Sequence, residues 1–246
     1  MVILQRTMEV ENNFVIVIGR EFGSGGRTIG KLLASRLGID YYDTELLKKA
    51  AESEGVNPEI FKDHDEKKPS VLKVLLQGAY GIADNFHTVP FSGVSMYNSQ
   101  CKVIKDVCKR GSCVIVGRSA DCILGDHPRM LSVFLHSPLE ARAERIVKRG
   151  EASSFEEACE TAKQHDKRRE SYYNFYTGEK KWGVASNYHL SLDTSCLDND
   201  SIVEIIQEIA RKKFRLPSQL TSNIGKNEGN FEPHIKDKAE MRSVAP

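Results

Sequence analysis

The six cysteines of this 246-residue chain form no C-x-x-C pair: Cys101, Cys108, Cys113, Cys122, Cys159 and Cys196 are scattered. That spacing argues against a zinc site and fits reduced, mostly buried thiols in a cytoplasmic protein. Neither sign of charge is in excess. With 35 basic and 34 acidic residues the net charge is +1, so the chain as a whole carries no polyanion-binding signal. No apolar run approaches the length of a membrane span. The apolar start at residues 1–4 is followed at once by Gln5, Arg6, Glu9 and Glu11, which is not the pattern of a signal peptide. Internal repeats are absent, as is any Cys/His or Ser/His/Asp arrangement of a nucleophilic triad. Asp63-His64-Asp65 resembles a metal cluster only superficially and reads as an exposed helix end. A hydrophobic content of 40% and a charged content of 28% suit one α/β domain with tails.

What is present begins with Phe14-Val15-Ile16-Val17-Ile18, a wholly apolar β-type run. It enters Gly19-Arg20-Glu21-Phe22-Gly23-Ser24-Gly25-Gly26-Arg27-Thr28 and then an amphipathic helix with Ile29, Leu32, Leu33 and Leu37. A strand, a glycine-rich loop and a helix N-terminus in that order make a phosphate-binding unit. Glycines let backbone N–H groups converge on phosphate oxygens, and the helix dipole favours the anion. Arg27 stands where a P-loop places its Lys, and Thr28 where the Mg²⁺-binding hydroxyl belongs. The first Walker glycine is replaced by Glu21.

Strand-like runs and helical patterns then alternate. The run 39–42 leads to a helix over 44–53; a helix over 98–110 precedes the run 113–117 and a short helix over 120–124. The run 130–136 leads to a helix over 138–149 with Pro138 in its first turn, and the run 188–193 leads to a last helix over 201–214. Five near-continuous apolar strands alternating with helices predict a doubly wound α/β domain with a parallel sheet covered on both faces. Two segments, 57–98 and 153–187, break the alternation and read as substrate-closing insertions. An N-terminal extension (1–13) and a disordered tail (215–246), poor in apolar residues, flank the domain at 14–214.

Several polar positions fall at strand ends, where open parallel sheets bind ligands. Asp43 ends the second strand and serves either a ligand or the N-cap of the next helix. Arg118, in Gly117-Arg118, reads as a phosphate clamp, the alternative being an exposed loop arginine. Arg142, Arg145 and Arg149 fall at i, i+3 and i+7 on one helical face, which reads as either a solvated basic stripe or a ligand-facing one. The 153–187 insertion adds Lys163, Asp166, Lys167, Arg168, Arg169, Lys180 and Lys181, and the aromatics Tyr172, Tyr173, Phe175 and Tyr176. A mobile arginine-rich lid of this kind serves phosphoryl transfer; a charged surface helix packed by its aromatics is the plainer reading. Nucleic-acid binding is a weaker option, because the rest of the chain is not basic.

Taken together, these residues resemble the cytidylate kinase-like branch of the nucleoside monophosphate kinases, over about residues 14–213. The resemblance rests on the variant phosphate loop Ile18 to Arg27, on Tyr41-Tyr42-Asp43-Thr44, and on Val116-Gly117-Arg118-Ser119-Ala120-Asp121. It rests further on the run from Phe134 to Arg145, and on Tyr172-Tyr173-Asn174-Phe175-Tyr176 with Leu192-Asp193-Thr194-Ser195. It implies a three-layer P-loop kinase fold with a helical lid, using ATP and Mg²⁺. Gly23, Ser24, Gly25, Gly26, Arg27 and Thr28 would then cradle the donor phosphates, with Thr28 on the metal. Arg145 matches the arginine on the donor base and Arg149 a lid cation. Arg118 would hold the acceptor phosphate, with Asp43 and Asp121 on the acceptor side, and Asp166 and Arg169 match an Asp-x-x-Arg pattern that engages acceptor and transferring group. Cytidylate kinases proper carry Asp at the positions of Val116 and Ser119. The expected activity is transfer from ATP to CMP or dCMP by a cytoplasmic enzyme with no membrane association. The alternatives are a P-loop kinase for another small acceptor and a non-catalytic nucleotide-binding regulator.

Overall fold

The computed structural model describes residues 13–53, 55–58, 93–178 and 180–217. Most of the 57–98 insertion, Asp63-His64-Asp65, nearly all of the expected N-terminal extension and all of the tail after Pro217 lie outside those residues.

The elements run β1 (Val15–Arg20), α1 (Gly26–Leu37), β2 (Asp40–Tyr42), α2 (Thr44–Ser53), α3 (Gly93–Arg110), β3 (Cys113–Val116) and α4 (Ala120–Ile123). They continue with β4 (Met130–His136), α5 (Leu139–Lys148), α6 (Phe155–Thr177), a 3₁₀ turn (Ala185–Asn187), β5 (Leu190–Asp193) and α7 (Asn199–Phe214). All five strands pair in parallel in the order β2-β3-β1-β4-β5. Because side chains alternate across a strand, Ile16, Ile18, Val114, Val116 and Val133 pack on α1 and α7. Val15, Val17, Ile115 and Met130 pack on α2, α3 and α4 from the other face. The expected three-layer α/β fold is therefore the observed one, and burial of both faces explains why the inner strands β1, β3 and β4 read as near-continuous apolar runs.

Element ends follow local chemistry. Gly38 closes α1 in the left-handed region at φ 63°, and its N–H donates to Ser35. The last helix starts at Asn199 rather than 201 because Asp198 caps it, its carboxylate accepting the Ser201 N–H at 2.7 Å. The fifth strand starts at Leu190 rather than 188, since residues Ala185–Asn187 wind into the 3₁₀ turn first.

The segment 153–187 holds one 23-residue helix, α6, docked at three places. Ala158 and Ala162 pack with Ala143 and Ile146 of α5. Midway, His165 stacks on Phe22 of the phosphate loop with ring centroids 4.2 Å apart. Further on, Tyr176 stacks on Tyr97 of α3 at 4.0 Å, and the Tyr172 hydroxyl donates to Gln100 at 3.0 Å. Among the described residues no helix is long and apolar enough to cross a membrane.

One glycine fixes how closely α1 approaches the sheet. A Cβ on Gly30 would lie 2.8 Å from Val116 Cγ2 and 3.1 Å from Tyr41 Cε2. Gly→Ala inside a helix ordinarily stabilises by about 1 kcal/mol. Here the stiff β-branched neighbour cannot yield, and Gly30→Ala is expected to destabilise by about 1–3 kcal/mol, read as a lower urea midpoint at constant m.

Candidate active site

The site forms where the chain order reverses across the sheet, at the carboxyl ends of β1 and β3. The loop after β1 turns through Gly23 at φ 84° and Gly25 at φ 86°, angles that a glycine adopts without strain. A Cβ on Gly23 would stand 2.9 Å from the Arg142 carbonyl, so the loop lies directly against α5. The helix α1 begins at Gly26 with no side-chain cap and no acidic residue in its first turn. Its leading N–H groups thus form an anion cradle beside the exposed side chains of Arg27 and Thr28.

Glu21, in place of the Walker glycine, is part of a buried lock. Its carboxylate accepts the Ser137 N–H at 3.0 Å and pairs with Arg142 Nε at 3.3 Å. Arg142 is 7% exposed, so its part of the arginine face of α5 is not a solvated stripe. Its NH1 donates to Asp166 at 2.5 Å and to the Phe22 carbonyl at 3.1 Å, while Asp166 also accepts the Phe22 N–H at 2.7 Å. One carboxylate on α6 and one arginine on α5 thereby hold the loop.

At the end of β3, three successive residues have positive φ: Gly117 at 87°, Arg118 at 61° and Ser119 at 51°. Two of them are not glycine, and such strain of about 1–3 kcal/mol each persists where a side chain must be aimed. The strained turn buries Arg118 to 3% exposure and brings its Nε to 3.4 Å from the Thr44 hydroxyl. Asp43 caps α2, accepting the Glu45 and Leu46 N–H groups at 3.1 and 3.2 Å and the Tyr41 hydroxyl at 3.3 Å.

Between these strand ends and α6 lies a partly open cleft. Arg20, Arg118 and Arg169 enter it with Asp121, and Tyr173, Trp182 and Tyr188 wall it. Phe134 braces that wall, 5.3 Å from Trp182 and 4.9 Å from Tyr188 between ring centroids. Arg169 also donates to the Arg20 carbonyl at 3.3 Å and lies over the Phe22 ring. Asp121 accepts the Tyr173 hydroxyl at 2.7 Å, and burial pushes its carboxyl above the usual range. Burial likewise lifts the neighbouring Cys122 thiol to about 11, which leaves it un-ionised and unreactive near neutrality.

The expected site residues therefore divide. Arg118, Asp121 and Arg169 line the cleft; Gly23, Ser24, Gly25, Gly26, Arg27 and Thr28 form the loop and helix start beside it. Asp43 and Asp166 stand behind these groups on backbone N–H donors. Arg145 donates to the Thr194 hydroxyl at 2.9 Å and to the Thr194 carbonyl, at the end of β5. Arg149 sits at the α5 C-cap in an exposed pair with Glu151. Of the basic residues on α6, Lys163, Lys167 and Arg168 face solvent and Arg169 turns inward. Sequence reasoning missed Arg20, Trp182 and Tyr188 as cleft residues. It also missed the loop lock of Glu21 and Arg142.

The raised pKa of Asp121 has a consequence for stability. Between the unfolded carboxyl range near ~4 and the higher native value, the folded state binds more protons, so stability falls as pH rises through that window. Asp121→Asn, which still accepts from Tyr173, is expected to remove this fall. Its melting temperature should match that of the parent at low pH and exceed it at pH 7.

A profile of the cytidylate kinase-like family matches residues 15–196. The cytidylate kinase of Methanopyrus kandleri is 26% identical over 202 residues, covering 78% of this chain and 91% of that protein. The cytidylate kinase of Fervidobacterium nodosum is 26% identical over 222 residues, covering 82% and 98%. In structure, an uncharacterised protein from Eubacterium ventriosum superposes with a TM-score of 0.60 at 27% identity, over 80% of this chain and 98% of its own. The glycine loop, the Gly-Arg turn and the arginine-lined cleft all fall within the matched span, and the chain belongs to the cytidylate kinase-like family.

Proposed function

We propose that the protein is an ATP-dependent nucleoside monophosphate kinase that phosphorylates CMP or dCMP. The observation that carries the reading is adjacency. An anion cradle at the end of β1 and a buried arginine at the end of β3 stand on neighbouring strands, and a cleft opens between them. Membership of the cytidylate kinase-like family and the names of the relatives support the choice of acceptor.

The N–H groups of the loop and of the α1 start bind the donor phosphates, and Arg27 adds charge from the first turn. An oxygen of the acceptor phosphate bonds to the γ-phosphorus, the bond to the β,γ-bridging oxygen breaks, and that electron pair leaves with ADP. Arg118 and Arg169 hold the acceptor phosphate and stabilise the charge on the migrating group. Asp166 acts through the loop: by gripping the Phe22 N–H and Arg142 it keeps α6, and hence Arg169, over the cleft. Asp121 faces the acceptor as a hydrogen-bonding group among the aromatics. Arg145 and Arg149 are assigned to the donor side.

Thr28, exposed in the first turn of α1, would hold a Mg²⁺ that arrives with the nucleotide. Glu21 and Asp43 are engaged elsewhere, and Val116 is buried in the core at 1% exposure. When bound with ATP the metal neutralises donor-phosphate charge. Val116 and Ser119, which depart from the cytidylate kinase pattern, favour a second reading with another small phosphate acceptor. ADP formation from Mg·ATP against CMP, dCMP, UMP, AMP, GMP and no acceptor separates them. Turnover with CMP or dCMP alone bears out the proposal; ADP formation no faster with any of the five than without them removes it.

A further inference from the structure

Two Gly-Arg steps stand side by side in this fold. Ile18 pairs with Val116 in parallel register, so Gly19-Arg20, the last two residues of β1, stand beside Gly117-Arg118, the first two after β3, and the Gly117 N–H donates to the Ile18 carbonyl at 3.0 Å. Arg118 lines the cleft from the second step, and Arg20 lines it from the first. Two glycines make room for its side chain. A Cβ on Gly26 would lie 2.9 Å from both Cβ and Cγ of Arg20, so the stem runs past the last glycine of the phosphate loop. A Cβ on Gly117 would meet the guanidinium itself, 2.7 Å from its Cζ. The Arg20 side chain thus runs from beside the phosphate loop to the Gly-Arg turn, with its guanidinium against Gly117 in the lining of the cleft. Arg169 reaches the same residue from above through the Arg20 carbonyl. Among the described residues, three guanidiniums and one carboxylate line this cleft, a balance that suits a doubly charged phosphate monoester.

We propose that Arg20 is a catalytic residue: its guanidinium grips the acceptor phosphate beside Arg118 and follows the charge as the phosphoryl group crosses from loop to cleft. The proposal rests on the phosphoryl-transfer reading of the site. Arg20 stays protonated throughout and takes part in no bond; it stabilises the shared oxygens while the new P–O bond forms and the bridging bond to ADP breaks.

The test uses the full chain. Arg20→Met keeps the stem against Gly26 and removes the charge, and Arg20→Lys restores charge without the planar fork. The chain has a single tryptophan, Trp182, and it lines the cleft, so its fluorescence reports on the site directly. Inorganic phosphate is titrated against that signal, and kcat is measured with the acceptor found in the panel. Arg20→Met is expected to weaken phosphate binding about tenfold and lower kcat about a hundredfold at an unchanged melting temperature. Arg20→Lys should recover phosphate binding better than kcat. Either readout unchanged in Arg20→Met overturns the proposal. If the wild type turns over no acceptor, the kinase reading fails by itself, and the phosphate titration alone judges Arg20 as an anion ligand: an unchanged affinity sinks it, and a tenfold loss upholds it. If Arg20→Met unfolds, Arg20→Lys decides, with full turnover overturning the role and about a tenfold loss upholding it.

Discussion

Arg118→Ala is expected to lower kcat/KM for the acceptor about a thousandfold while leaving the KM for ATP nearly unchanged. The donor cradle is made of backbone on β1 and α1, which this substitution does not touch. On the proposed reading the acceptor side depends on a guanidinium held at 3% exposure by a turn with three successive positive φ angles. A structure accepts such strain where the side chain's aim matters more than the backbone's ease. Loss of a preorganised, charge-assisted phosphate clamp costs about two to three orders of magnitude in rate. The fall should appear in both kcat and acceptor KM, because the clamp holds the ground state and the transferring group alike. Unchanged acceptor kinetics would place the acceptor phosphate elsewhere.

Arg142→Ala should cause the largest loss of stability. Its guanidinium is shared by the Glu21 and Asp166 carboxylates and by the Ser137 and Phe22 carbonyls. Removing one partner of a buried ion pair costs about 3–5 kcal/mol, since the remaining charges lose compensation without regaining full solvation. For a chain of this size that corresponds to a drop of roughly 10 °C in melting temperature. The same substitution frees the loop from α6, so turnover should fall with stability. A calorimetric melting temperature within about a degree of the parent would show that the lock carries no weight.

The fold was largely legible because both sheet faces are buried. Near-continuous apolar runs such as 130–136 then stand out, and the glycine loop announces the first crossover. The strand-end logic found Arg118 for the same reason, a parallel sheet gathering its ligand groups at one edge, whereas Asp121 came with the family resemblance. The arginines of α5 were harder. Spacing at i, i+3 and i+7 is the same for a solvated stripe and for Arg142 buried in a lock, and only the position of α6 distinguishes them. Glu21 reads as a missing glycine until Ser137 and Arg142 are seen beside it. Arg20 becomes visible only when the register between β1 and β3 is known, since the two Gly-Arg steps are far apart in the chain. Trp182 and Tyr188 follow a helix in a stretch without periodicity, and nothing local marks them as the cleft wall.

On the proposed reading, the loop after β1 and the cleft at β3 hold two phosphates in one continuous site. A bisubstrate probe, adenosine and cytidine joined through a pentaphosphate, tests this by calorimetric titration against ATP and CMP separately. One molecule spanning both sites avoids a second loss of rotational and translational freedom, so its Kd should lie at least about a hundredfold below that of either ligand. A Kd no lower than that of ATP alone would contradict the account, because the cleft would then lie out of reach of the donor.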